Sequence, residues 1–313
     1  MKKNITLSVL ALAGALLWSG CMQLEEKLVG KESPAEEGQK WNLTVKAERE
    51  TPDQGGNDGA STKGLVLDGT ALNTLWKSSE TVSVFAKTNY LAETLAVTPD
   101  AENAKLADLT GSVTLTGINV NDVLTLQVPR QTWDYTGQKG LLLGPDVAGS
   151  IEKDYAYALA DVTVEGITPG TGDAGTLTTS NAHFVNQQKI YRISFKLGGD
   201  ELCAKDMTVT SSKGKIVLSR DLATGTSTYG ALTVSMDGDS GTLADGLICV
   251  ALRNEDETEQ DYFFSVTGQD LKTYVGTKHI PAEAFTHNFL GIKDMALTQL
   301  TLTKSSTTVD TAL

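Results

Sequence analysis

From Trp41 onward apolar and polar residues alternate with a period of two, in short runs broken by turn residues, and this pattern constrains the chain most. Successive side chains of a strand point to opposite faces, so Trp41, Leu43, Val45 and Ala47 share one face. Further strand-like runs fall at 81–86, 112–116, 123–128, 155–159 and 162–165, separated by turn residues such as Gly117, Asn119, Asn121 and Asp122. After a break rich in Gly and Pro at 166–180, alternation resumes at 190–197, where Tyr191, Ile193, Phe195 and Leu197 face one way. It continues at 207–210, 215–218, 231–236, 247–252, 262–266 and 296–303. No segment of ten or more residues has helical periodicity, and 101–109 is read as one or two helical turns. Many short strands without crossover helices predict an all-β fold of two β-sandwich domains in tandem, residues 41–183 and 184–313.

The beginning of the chain reads differently. Lys2 and Lys3 precede an apolar run over residues 5–18, and then come Ser19, Gly20 and Cys21. A cationic start, a short apolar segment and small residues before a cut make a secretory signal, here residues 1–20. A cysteine directly after the cut is the lipoprotein arrangement, in which the thiol is acylated and the new N-terminus stays in a membrane; the other reading is an ordinary secretory signal with a chance cysteine. Trp18 stands where such signals usually carry leucine. Residues 21–40 are polar and read as a flexible tether. The acidic pair Glu25 and Glu26 reads either as an outer-face export signal or as part of a solvated linker.

Lys2 and Lys3 are the only charged residues of the signal, so the formal net charge of −13 becomes −15 once it is removed. Such a surface repels phosphate backbones and no basic cluster reverses it, which excludes nucleic acid as a partner. With Cys21 acylated, Cys203 and Cys249 remain, either as a disulfide or as two buried thiols.

Reactive constellations are scarce. The chain has no Gly-x-Ser-x-Gly, no His-Glu-x-x-His and no phosphate-loop pattern. His183, His279 and His287 lack metal-ligand spacing. Asp237-Gly238-Asp239 begins like a calcium loop, but Ile248 stands at its twelfth position instead of a bidentate Glu, so the segment reads as a hairpin. No catalytic residue, metal site or cofactor is expected, and the chain is read as a non-enzyme.

Thr62-Lys63-Gly64, Asp68-Gly69, Trp76 and Thr81-Val82-Ser83-Val84-Phe85 resemble the opening of the first domain of fimbrillin-family proteins. Gln188-Lys189-Ile190, Ile193-Ser194-Phe195-Lys196-Leu197 and Met207-Thr208-Val209-Thr210-Ser211-Ser212 resemble the first two strands of the second domain. One departure is Ser79-Glu80, where the family usually has Gly-Asp. The family consists of lipoprotein precursors of the type V pili of Gram-negative anaerobes. The resemblance implies two transthyretin-like sandwiches, a cell-surface location through an outer-membrane lipid anchor, and assembly with other fimbrial subunits by strand exchange. It also implies a processing protease, specific for Arg or Lys, that cuts behind the first strand. Trp41, Leu43, Val45 and Ala47 would then lie on the exchangeable strand, an outermost ribbon of the sandwich. Arg49 is the first candidate cut, or else an ordinary strand-end charge, and Lys63 is the second. Removing a strand exposes an apolar groove and unpaired backbone groups that another strand can fill. The tail 304–313 reads as a short donor strand or a frayed end. The alternative is a surface lipoprotein that binds glycan or host protein through sandwich loops, with Trp76, Trp133 and Tyr135 as a stacking platform and Trp133 and Tyr135 on one strand face.

Overall fold

The computed structural model of the chain describes residues 38–301, apart from 51–64, 69–70, 87–88, 130–131, 145, 172–173, 237–246 and 287–288. Strand β1 (Gln39–Arg49) is followed by a hairpin of β2 (Leu65–Asp68) and β3 (Ala71–Thr74). Next come β4 (Thr81–Ala86), β5 (Asn89–Pro99), β6 (Leu106–Leu115) and β7 (Val123–Val128). A two-residue β8 (Trp133–Asp134) and one π-helical turn (Ile151–Tyr155) precede β9 (Ala158–Thr168), β10 (Gly175–Thr179) and β11 (Ala182–Asn186). The chain then forms β12 (Lys189–Leu197), β13 (Asp200–Glu201), β14 (Ala204–Ser211), β15 (Val217–Arg220) and β16 (Ser227–Tyr229). It ends with β17 (Leu232–Ser235), β18 (Leu247–Leu252), β19 (Gln260–Gly268), β20 (Thr273–Ile280) and β21 (Phe289–Gln299). The fold is all-β, as the alternation predicts.

The first large sheet closes on itself. Along one edge β1 is antiparallel to β6, from Gln39↔Leu115 to Glu48↔Leu106. Along its other edge it is parallel to β10 at Trp41↔Gly175 and to β11 at Ala47↔Ala182. Both β10 and β11 pair with β9, and the ring continues through β7, β4 and β5 back to β6. The expectation of an outermost ribbon is therefore corrected: β1 is paired on both sides. Among the described residues each strand of this sheet has a strand neighbour on both sides, which satisfies backbone groups that an open edge would leave unpaired.

Inside the ring, Trp41, Leu43, Val45 and Ala47 are buried with Val82, Leu95, Leu109, Leu124, Val162 and Phe184. Gly175 is a tight spot: a Cβ there would strike the Trp41 ring, so only glycine lets the indole lie against β10. Residues 101–109 do not form helical turns. Asp100 Oδ1 accepts from the backbone N–H groups of Glu102 and Asn103, and from Leu106 the chain is strand. Pairing of β6 with both β1 and β5 outweighs the weak local helical pattern.

The chain passes to the second large sheet between Asn186 and Lys189. Its strands run β13-β12-β21-β20-β19-β14-β17, with β18 antiparallel to β12. Their inward side chains, Tyr191, Ile193, Phe195, Val209, Val250 and Phe264 among them, form a second core. Residues from the first half of the sequence enter that core too: Leu65, Leu72, Trp133, Tyr135, Leu142, Ile151, Tyr155 and Tyr157. Gln138 mimics a strand partner for β18, its Nε2 donating to the Ala251 carbonyl at 2.8 Å and its Oε1 accepting from the Ala251 N–H at 2.8 Å. Beside it, the Cys249 N–H donates to the Gly140 carbonyl at 2.9 Å. The exposed ladder of β18 is thereby covered.

Candidate functional site

The alternation of β1 does not stop at Ala47. Its burial pattern continues to Arg49, which is only 1% exposed and sits on the same inward face as Trp41, Leu43 and Val45. The guanidinium carbon lies 3.9 Å from the centre of the Trp76 ring and 5.9 Å from that of Phe184. Those two rings meet edge to face at 5.0 Å. A cation against aromatic faces, shielded from water, gains about 2 kcal/mol or more from the ring quadrupole.

Glu80 supplies the counter-charge. Arg49 Nη2 donates to Glu80 Oε1 at 2.9 Å, and the other carboxylate oxygen accepts from the Lys77 backbone N–H at 2.9 Å. The Lys77 ammonium in turn bonds Glu152 Oε1 at 2.9 Å, and Glu152 Oε2 accepts from the Gly144 N–H at 3.0 Å. The Glu152 side chain is fully enclosed. A chain of charge-assisted bonds thus runs from the end of β1 to the π-helical turn that feeds the second core.

The backbone here is equally occupied. The Arg49 N–H donates to the Lys105 carbonyl at 2.9 Å and the Glu50 N–H to the Phe184 carbonyl at 3.0 Å. Glu50 Oε2 accepts from the Asn186 N–H at 2.9 Å. The outward face of β1 is ordinary surface by contrast. Lys46 pairs with Asp108 at 2.6 Å, His183 lies 3.6 Å from Glu48, and Ser112 Oγ donates to Asn42 at 2.8 Å.

Two sequence expectations change here. Arg49 is neither an exposed cut site nor a free strand-end charge, because β1 keeps its alternation and carries the side chain inward. The signal was present in the period-two pattern, and the charge of arginine masked it. Trp76 lies under Arg49, and Trp133 and Tyr135 are 1% and 0% exposed, so they form no stacking platform. The Trp133 ring is covered by the guanidinium groups of Arg253 at 4.7 Å and Arg220 at 5.6 Å, and Tyr135 packs edge to face on Tyr157 at 5.2 Å. Their shared strand face is a core face.

The remaining expectations have simpler outcomes. Cys21, Lys63, residues 237–241, His287 and the tail 304–313 lie outside the described residues. Cys203 is exposed and Cys249 buried, with no disulfide between them. His279 lies on β20 and faces Asp261 at 3.0 Å and Glu259 at 3.4 Å, all three well exposed. Among the described residues no group of three or more His, Cys, Asp or Glu is placed to hold a metal ion.

No family model and no curated protein matches the chain. Among solved structures, it is similar to a candidate cell adhesion protein of Bacteroides ovatus, with 12% identity and a TM-score of 0.37 over 82% of this chain and 95% of that one. A candidate cell adhesion protein of Bacteroides uniformis shows 12% identity and a TM-score of 0.35 over 75% and 83%. A shaft pilin of Lactobacillus rhamnosus shows 12% identity and a TM-score of 0.30 over 85% and 100%. With identities and TM-scores this low, none of them bears on what this chain does.

Proposed function

We propose that the protein is a non-catalytic structural and adhesive subunit of a cell-surface fimbrium. In this reading it is exported as a lipoprotein precursor, held in the outer membrane through Cys21, and joined to other subunits when β1 leaves and a neighbour's strand takes its place. A processing protease and an adhesion ligand are its further partners.

The observation that carries the reading is the seating of β1. It is the one stave that precedes the long connection 51–64, and its withdrawal would unpair β6 on one side and β10 and β11 on the other. The groove left behind would be lined by buried residues of the first core, Leu95, Leu109 and Phe184 among them. An incoming strand with apolar residues at alternate positions recovers both ladders and about 1.5–3 kcal/mol for each large side chain it buries.

The test places a cleavable sequence within residues 51–64 and staples β1 to β6 with Thr44→Cys and Thr110→Cys, which face each other across the ladder. Cleavage of the unstapled protein is expected to yield oligomers visible by electron microscopy. The oxidised staple is expected to block them, and reduction to restore them. Oligomers that form equally well with the staple closed would overturn strand replacement.

A further inference from the structure

We propose that Arg49 is a latch. Its slot between Trp76, Phe184 and Glu80 holds the end of β1 in the closed sheet and shuts the Arg49–Glu50 peptide bond to arginine-directed proteases until the slot opens. The biological meaning of the latch rests on β1 being the strand that leaves, but the latch itself is testable without that reading.

Three features make the slot a local gate. An arginine-directed protease must take the guanidinium into its own pocket, and here that group is stacked on Trp76 at 3.9 Å and paired with Glu80 at 2.9 Å. The protease must also hold the flanking backbone extended and unpaired, whereas the Arg49 N–H donates to the Lys105 carbonyl, just before β6, and the Glu50 N–H to the Phe184 carbonyl of β11. Cutting therefore requires local opening, and its rate follows the population of the opened state when reclosing is fast. The seat is also poised. Nε and Nη1 of Arg49 have no hydrogen-bond partner among the described residues, so much of the hold on the cation comes from the rings and one carboxylate.

Opening has a direction as well. Glu80 is bonded to the Lys77 backbone, and Lys77 to Glu152. A movement of the 76–80 segment that withdraws the carboxylate thus releases Arg49 without first unzipping the ten-pair β1–β6 ladder. The gate is set by side chains of the 76–80 segment and β11, and the ladder is held separately.

The experiment digests the folded full-length protein with an arginine-specific endoprotease and follows the fragment beginning at Glu50 by mass spectrometry. A peptide of residues 43–56 serves as the open reference. Cutting after Arg49 is expected to be at least about tenfold slower in the protein than in the peptide. Glu80→Gln is expected to speed it by roughly tenfold and Trp76→Phe by less, with cutting after Arg220 unchanged. Wild-type protein cut after Arg49 as fast as the peptide would overturn the latch. So would a Glu80→Gln variant that is no faster, or one that is faster at every arginine alike, which reports global loosening. Size-exclusion chromatography of the same digests separates the two ideas. A latch that opens on cue in a chain that stays monomeric preserves the latch and removes strand replacement. A chain cut freely that still polymerises does the reverse.

Discussion

The two cores are built from different materials. Six tyrosines, Tyr135, Tyr155, Tyr157, Tyr191, Tyr262 and Tyr274, are buried in the second core. Among the described residues the buried cluster of the first contains none and relies on Leu, Val, Ala, two tryptophans and Phe184. Closure explains the contrast. A ring of strands satisfies its own backbone and needs only apolar filling. The second sheet is open, and the chain covers it with irregular backbone from the first half, residues 133–157, whose carbonyls need donors. Two of the six hydroxyls supply them: Tyr155 donates to the Thr136 carbonyl at 2.7 Å and Tyr157 to that of Asp134 at 3.0 Å. A phenol brings apolar area and a donor on one side chain, which suits the packing of a loop against a sheet.

The largest test of the comparison is Leu43→Ala. A fully enclosed leucine on the closing stave is expected to cost about 2–5 kcal/mol. Because residues of the first half also fill the second core, thermal unfolding of wild type and variant is expected to show one transition, with Trp41, Trp76 and Trp133 reporting together. Two separated transitions would break the link between the cores.

Gly175→Ala comes next. Its new methyl would strike the Trp41 ring, at a cost of about 1–3 kcal/mol read from denaturant midpoints. Gln138→Ala is the matching change in the second core. It strips the Ala251 N–H and carbonyl of their partner and is expected to cost about 1–3 kcal/mol. An unaffected Gln138→Ala protein would mean that the edge of β18 does not need its cover.

Alkaline pH discriminates between the cores by chemistry. Burial pushes the Tyr157 and Tyr262 phenols up to about 12, against an ordinary value of about 10. The folded state therefore holds these protons more tightly than the unfolded chain. Their contribution to stability is fully present below about pH 10 and is lost as pH rises toward 12. Tyrosinate absorbance and near-UV circular dichroism are expected to change together in that window. Disruption of the second core should lead, and the substitutions Tyr157→Phe and Tyr262→Phe should each shift the transition upward. The smallest effect is expected at Lys46→Ala. Its ion pair with Asp108 is exposed, and its loss should stay within about 0.5 kcal/mol and vanish in high salt.

Much of this was legible in the residues. Runs at 81–86, 123–128 and 247–252 coincide with β4, β7 and β18, because each is an apolar or alternating run bounded by turn residues. Strands β2, β3, β5 and β16 were missed, as were β10, which lies inside the stretch 166–180 read as a break, β11, and β20, whose exposed half carries Lys278 and His279. Strands held by their neighbours carry a faint pattern of their own. The burial of Arg49 left a trace in the residues: continuing the period of two past Ala47 points it inward, but a charge reads as outward until its partners are known.

The sequence alone determined that the fold is all-β and that Trp41, Leu43, Val45 and Ala47 share a face, since side-chain period is a local property of the backbone. Only the tertiary structure decided that β1 is enclosed on both edges and that Trp133 and Tyr135 are core. It also decided that Arg49 is buried rather than presented. Those outcomes depend on partners 31 to 135 residues away, Glu80 and Phe184 for Arg49. No local pattern encodes which distant ring or carboxylate will meet a given side chain.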